Sequence, residues 1–226
     1  MNEQLVLDLP HRPALGEEDF LVSASNAVAV AEIDRWPDWQ HHVFVLVGPA
    51  GAGKSHLANV WRLRSGADMI AASRISEAFV RGRKPREPVL VEDVDRGMGD
   101  ERAMFHLLNL AREGAFHVLV TARTPPGEWK IELPDLRSRL RQAPVAIINA
   151  PDDTLLKAVL VKLFSDRQLS VEPHVIQHIG VHMERSMEAA SRIVEEIDRR
   201  SLQAKRRVTR AIAAEAVQSV ARASRH

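Results

Sequence analysis

Short, uninterrupted apolar runs recur along the first two thirds of the chain and alternate with stretches of helical periodicity. The apolar runs cover residues 42–47, 89–91, 117–120 and 145–148. Runs of this kind are typical of strands buried on both faces, as in a parallel sheet. Helical stretches cover residues 26–36, 54–64 and 100–113. Because strands alternate with helices, the pattern predicts βαβ units and an α/β fold with a parallel sheet.

The pattern changes after Pro151, where helical periodicity replaces the apolar runs. Further helices are predicted at residues 154–168, from Pro173 onward, at 184–203 and at 208–222. Proline is favourable in the first turn of a helix, and Pro173 occupies such a position. We therefore predict an N-terminal peptide (residues 1–10), an α/β domain (11–150) and a small all-helical domain (151–226).

The charge and composition of the chain narrow the classes of protein to which it can belong. It has 226 residues, of which 31 are basic and 30 acidic, so the formal net charge is +1. Such a balance argues against a dedicated nucleic-acid binder. The lack of cysteine excludes disulfides and thiolate metal sites. No apolar run approaches the length of a membrane span, so we expect a cytoplasmic protein without membrane contact.

Residues 48–55 read GPAGAGKS and match the phosphate-loop pattern G-x-x-x-x-G-K-[ST] in full. The motif follows a predicted strand and opens a predicted helix, which is the context that such a loop requires. Glycines let successive backbone N–H groups face an anion, and the helix N-terminus adds partial positive charge. Lys54 would reach the terminal phosphates and Ser55 would bind Mg²⁺. The predicted nucleotide-binding residues of this segment are Gly48, Gly51, Ala52, Gly53, Lys54, Ser55 and His56.

The apolar run at residues 89–91 ends in two carboxylates, Glu92 and Asp93. A phosphate-loop protein needs an acidic side chain on a neighbouring strand to hold the metal through water. Glu92 is the predicted metal-linked residue, and Asp93 could orient an attacking water as a catalytic residue. The alternative interpretation is a strand that simply ends in solvated acids.

The N-terminal segment, residues 4–9, places leucines at every second position after a polar amide. One interpretation is an edge strand with Leu5, Leu7 and Leu9 on a buried face. The other is a docking peptide that a partner binds in extended form, with Gln4 hydrogen-bonded in a polar pocket and the leucines in an apolar groove. The residues alone leave both interpretations open.

Four further motifs, in this order and spacing, resemble those of the AAA+ ATPases related to the initiator DnaA. They are FLVSASN at residues 20–26, TARTPP at 121–126, LPDLRSRL at 133–140 and ERSMEAA at 184–190. The chain combines a DnaA-like AAA+ core and helical lid with Q-L-x-L-x-L near its start, and no DNA-binding module is expected after the lid. In this combination it resembles the Hda family. Members of that family are regulatory inactivators of DnaA.

The resemblance implies a negative regulator of replication initiation that carries ADP or ATP with Mg²⁺. Its N-terminal peptide (Gln4, Leu5, Leu7 and Leu9) would bind the sliding clamp, the beta subunit of the replicative DNA polymerase. The protein would then stimulate ATP hydrolysis by DnaA while close to the replisome and nucleoid. The resemblance also allows a homodimer, and DNA contact would be weak or indirect. The alternative function is a helicase-loading or remodelling ATPase that acts on a DNA-bound complex.

The same resemblance assigns roles to single residues. Arg139 would be the arginine finger that enters the nucleotide site of DnaA, with Arg137 and Arg141 as rivals. Arg185 would contact phosphate from the lid, and Thr121 would be the polar contact at the end of the sensor strand. Two residues depart from the DnaA pattern: Glu92 replaces an aspartate, and Arg123 also replaces an aspartate. Both changes predict that this protein's own ATP hydrolysis is slow.

Overall fold

The computed structural model of the protein describes residues 11–12, 20–84, 86–114, 116–204 and 207–223. Within these ranges the chain forms two units. One contains residue 20 and residues 26–149, and the other contains residues 11–12, 21–25 and 150–223. Residues 21–25 thus belong to the second unit, although the sequence analysis places them in the α/β domain. The predicted docking segment, residues 4–9, lies outside the described residues.

The first unit consists of strands and helices that alternate along the chain. Two short strands precede it, β1 (His11–Arg12) and β2 (Phe20–Leu21). Its helices are α1 (Ala27–Asp34), α2 (Lys54–Ser65), α3 (Glu77–Gly82), α4 (Glu101–Gly114) and α5 (Pro134–Gln142). Its strands are β3 (Val43–Val47), β4 (Asp68–Ala71), β5 (Val89–Glu92), β6 (Val118–Ala122) and β7 (Val145–Ile147).

The five strands β3 to β7 form one sheet in the order β4-β5-β6-β3-β7, and all neighbouring pairs are parallel. The predicted α/β fold with a parallel sheet is therefore confirmed. In β3 and β6 every residue is buried, as expected for central strands covered on both faces. Strand β4 was not predicted, because it is a mostly exposed edge strand that begins with an aspartate.

Helices cover both faces of this sheet because side chains point alternately to its two sides. On one face Val45, Val91 and Val120 join a buried core with Leu107 of α4 and Leu136 of α5. On the other face α2 contacts the three central strands β3, β5 and β6. The central strands, from whose carboxyl ends the functional loops emerge, are thus packed on both faces.

Three tryptophans pack together within the first unit. The rings of Trp39 and Trp61 stack with centroids 5.6 Å apart, and Trp36 meets Trp61 edge-on at 6.2 Å. The indole N–H of Trp36 donates to Nδ1 of His117 over 3.2 Å. The cluster is a packing feature, which agrees with the structural role that tryptophan usually has in a core.

The second unit is helical. It consists of α6 (Asp153–Asp166), α7 (Pro173–His182), α8 (Met187–Ala204) and α9 (Arg210–Ala223). Its apolar core, which includes Phe164, Ile179 and Ile197, is formed by all four helices. Pro173 stands in the first turn of α7, as predicted. Within the described ranges, none of the helices combines the length and apolar character needed to cross a lipid bilayer.

Candidate functional site

The phosphate loop joins the end of β3 to the start of α2, as the motif predicts. Gly51 and Gly53 have φ angles of 69° and 98°, a region that side chains with a Cβ rarely adopt. Gly53 is also the residue that caps α2, so the loop leads directly into the N-terminus of that helix. Such a junction directs backbone N–H groups and the positive end of the helix dipole to the same place, where an anion binds favourably.

Gly48, the first residue of the loop, is required for a steric reason. A Cβ at this position would lie 2.4 Å from the carbonyl oxygen of Ile148, which is backbone and cannot move aside easily. The N–H of Gly48 donates to the carbonyl of Ala122 over 3.2 Å. The loop is therefore anchored to the neighbouring strand β6 where it leaves β3.

Lys54 lies buried beneath the loop, with 7% of its surface exposed. Its ammonium donates to the carbonyl oxygens of Gly48 (2.7 Å) and Pro49 (2.9 Å). Burial and the nearby charge of Arg123 lower the pKa of Lys54, whereas Asp93 and Asp95 act to raise it. The lysine is thus fixed by the loop itself and surrounded by both signs of charge. These features fit a site that holds the phosphates of a nucleotide.

The acidic strand end lies two strands away from the phosphate loop, with β6 between them. Glu92 is the last residue of β5, and Asp93 follows it in a left-handed conformation (φ 59°). The backbone N–H of Asp93 donates to the hydroxyl of Thr121 over 3.1 Å. Thr121, only 1% exposed, therefore connects β6 to the acidic turn. The sequence proposed both elements, but their hydrogen bond depends on strand order, which no local pattern encodes.

No cluster of three or more histidine, aspartate or glutamate side chains that could hold a metal ion occurs in the described part of the chain. Ser55 is exposed at the start of α2, and Glu92 is half-buried at the end of β5. A hydroxyl and one carboxylate supply only two protein ligands. This number suits Mg²⁺ in a phosphate-loop protein, where phosphates and water supply the other ligands.

The three arginines of α5 have different surroundings. Arg139 is half-buried, donates to Oδ1 of Asn109 over 2.5 Å and lies 5.2 Å above the ring of Phe105. Arg137 is exposed, and Arg141 donates to the carbonyl of Gly127 over 3.3 Å. Asn109 and Phe105 are four residues apart on α4, so both face the same side of that helix. This pair was not predicted from the sequence, although its four-residue spacing could have indicated it once α5 was known to pack on α4.

Arg185 belongs to the helical unit and precedes α8. Its guanidinium donates to Asp153 over 2.8 Å and to the carbonyl of Pro151 over 3.3 Å. More than half of its side chain is exposed. His56, in the first turn of α2, is half-buried. The predicted roles of these two residues toward a nucleotide stay predictions.

Comparisons with known proteins give both units a family context. Residues 153–212 match the family model described as "Hda, lid domain". An uncharacterized protein of Haemophilus influenzae is 24% identical over 221 residues, which cover 92% of this chain and 96% of that protein. DnaA of Cutibacterium acnes is 24% identical over 192 residues, which cover 72% of this chain and 38% of the initiator. The chain thus spans well under half the length of that DnaA.

Solved structures show the same fold. Domain III of DnaA from Thermotoga maritima is similar with a TM-score of 0.76 at 16% identity, over 93% of this chain and 98% of that domain. AMPPCP-bound DnaA from Aquifex aeolicus is similar with a TM-score of 0.65 at 17% identity, over 81% of this chain and 65% of that structure.

The parallel sheet, the phosphate loop and the helical unit have the AAA+ fold of DnaA domain III. The helical unit matches the Hda lid, and one relative is similar over almost the whole chain. The chain is thus similar to the Hda family in its lid and to DnaA in its fold.

Proposed function

We propose that this protein is a negative regulator of replication initiation that acts as a nucleotide-loaded adaptor. Residues 4–9 dock on the sliding clamp, and Arg139 stimulates ATP hydrolysis by DnaA. The single observation that carries this proposal is the Hda lid match at residues 153–212 on a DnaA-like AAA+ fold. The partners then follow from the family: DnaA as the target, and the polymerase clamp as the platform at the replisome in the cytoplasm.

Nucleotide binding is supported by the phosphate loop and by the related DnaA structure that contains AMPPCP. ADP or ATP would lie against the loop, with Lys54 and the N-terminus of α2 at its phosphates. Ser55 and Glu92 would hold Mg²⁺, whose positive charge offsets that of the phosphates. Arg185 of the lid and Thr121 of β6 would complete the contacts.

The protein's own hydrolysis is proposed to be slow. Asp93, the proposed water-orienting residue, has its carboxylate 3.5 Å from the guanidinium of Arg96. The carboxylate must leave this ion pair before it can orient an attacking water. Stimulation of DnaA requires no turnover here, because an arginine finger stabilises charge in the partner's site.

The proposal is tested by measuring hydrolysis of radiolabelled ATP by DnaA in a reconstituted mixture that contains the clamp on DNA and this protein. We expect Arg139→Ala to lower stimulated hydrolysis by roughly 10³-fold, the lower end for a missing arginine finger. Gln4→Ala should lose both clamp pull-down and stimulation, because the docking amide is missing. Arg102→Ala, an exposed arginine of α4, is the matched control and should behave as the wild type. Full stimulation by Arg139→Ala, or clamp binding by Gln4→Ala at wild-type strength, would refute the corresponding part.

A further inference from the structure

Arg123 stands beside the phosphate loop as a consequence of strand register. In the parallel pair β3 and β6, Val47 lies opposite Ala122. The next residues along the two strands are Gly48, which opens the phosphate loop, and Arg123. Neighbouring strands run about 4.8 Å apart, so the two backbones are adjacent at this point. The hydrogen bond from the N–H of Gly48 to the carbonyl of Ala122 fixes this arrangement.

The buried lysine of the loop is close to the same point. Its ammonium donates to the carbonyl of Gly48 over 2.7 Å, and Gly48 is the residue next to Arg123 across the two strands. The charge of Arg123 is near enough to lower the pKa of Lys54. Two cations, Lys54 at the start of α2 and Arg123 just after β6, therefore converge on the start of the phosphate loop.

The guanidinium of Arg123 is exposed, and in the described part of the chain it makes no hydrogen bond and no ion pair. The neighbouring acids do not neutralise it: Asp93 instead pairs with Arg96 over 3.5 Å. An unpaired arginine at a phosphate-loop edge costs stability through repulsion from the buried lysine unless an anion binds both. Guanidinium groups match phosphate oxygens in a planar, two-pronged geometry.

We propose that Arg123 is a second phosphate-binding cation, which contacts the terminal phosphates of bound ADP or ATP together with Lys54. This inference rests on the nucleotide-binding part of the proposed function and adds a residue to it. It also gives the replacement of an aspartate by Arg123 a physical purpose. A carboxylate at this position would repel the terminal phosphates, whereas the guanidinium attracts them.

Isothermal titration with ADP and with ATP, in the presence of Mg²⁺, tests the proposal on the intact chain. We expect Arg123→Ala to raise the Kd of both nucleotides about tenfold, because the lost hydrogen bond to a charged phosphate contributes to the binding free energy. Arg123→Lys should recover part of the affinity, because it keeps the charge without the planar fork. Arg102→Ala is again the control. A cooperative thermal unfolding transition in each nucleotide-free protein establishes that the variants are folded.

Salt dependence provides a second readout. A contact between a cation and phosphate weakens with ionic strength. The Kd for ADP should therefore rise more steeply with NaCl in the wild type than in Arg123→Ala. An Arg123→Ala protein with the affinity and salt dependence of the control overturns the inference and leaves the proposed function intact. A wild-type protein that binds neither ADP nor ATP overturns both, so the two failures are distinguishable.

Discussion

At the scale of single residues, the proposed arginine finger is held by its own subunit. The 2.5 Å hydrogen bond to Asn109 and the ring of Phe105 restrict the guanidinium of Arg139 to one direction. A long arginine side chain otherwise loses considerable conformational entropy when it enters a partner's site. Because the side chain of Arg139 is already ordered in the free protein, a smaller entropy cost opposes binding to DnaA.

This arrangement predicts that Asn109→Ala lowers DnaA stimulation without removing the finger itself. We expect about a tenfold loss in the maximal stimulated rate, the effect of one hydrogen bond to a charged group. Titrating the adaptor into ATP-bound DnaA gives the maximal stimulated rate and the half-saturating adaptor concentration as separate values. Asn59→Ala is a matched control, because Asn59 also accepts a hydrogen bond from an arginine, Arg62, on α2. An unchanged maximal rate in Asn109→Ala would show that Arg139 needs no such support.

At the scale of secondary-structure elements, the sequence predicted the apolar strands and missed the polar one. β3, β5 and β6 appeared as apolar runs because helices cover both faces of the sheet. β7 was also found from its apolar run, although Val145 and Ile147 are exposed at the sheet edge. β4 (Asp68–Ala71) lies at the sheet edge with exposed residues and resembles a loop in sequence. The short helix α3 and the arginine-rich α5 lacked a long apolar period, so neither was recognised as a helix. The phosphate loop was found from its own residues, whereas Thr121–Asp93 and Arg139–Asn109 needed the tertiary fold.

A chain of charged side chains links α8 to α9. Glu196 accepts hydrogen bonds from Arg199 (2.7 Å) and Arg200 (2.6 Å), and Arg200 also donates to Glu215 of α9 over 2.6 Å. Hydrogen bonds from the two arginines lower the pKa of Glu196 from 4.5 to about 2. A carboxylate whose pKa is lowered by folding stabilises the protein above its unfolded pKa and loses that contribution as pH falls to the folded value.

We therefore expect Glu196→Gln to lower the free energy of unfolding by about 1 kcal/mol at pH 7, after allowance for solvent screening. The difference from the wild type should shrink as pH falls from about 4.5 towards 2, since the wild-type carboxylate then becomes neutral as well. Urea unfolding at pH 7, 5 and 3.5 measures this difference in the free energy of unfolding. Glu195→Gln, on the same helix at an exposed position, should show no such pH dependence. A Glu196→Gln deficit that is constant with pH would exclude the charge as its cause.

At the scale of the whole molecule, each unit has a hydrophobic core of its own. The core of the α/β unit includes Val45, Val120 and Leu136, and that of the helical unit includes Phe164 and Ile197. A unit with its own core can in principle unfold on its own. Periodicity alone predicted a boundary near Pro151, and it placed residues 21–25 with the α/β domain. Leu21 packs on Leu155 and Ala158 of α6, a contact between segments far apart along the chain.

The distribution of tryptophan allows the two cores to be tested separately. All four tryptophans, Trp36, Trp39, Trp61 and Trp129, lie in the α/β unit. Phe164→Ala removes a ring that is 2% exposed in the helical core and should cost about 3–5 kcal/mol there. We expect thermal unfolding followed by far-ultraviolet circular dichroism to begin earlier, while the tryptophan fluorescence transition stays in place. Leu202→Ala, at a position that is 70% exposed on α8, should shift neither signal. If Phe164→Ala lowered both transitions equally, the two cores would unfold as one cooperative unit.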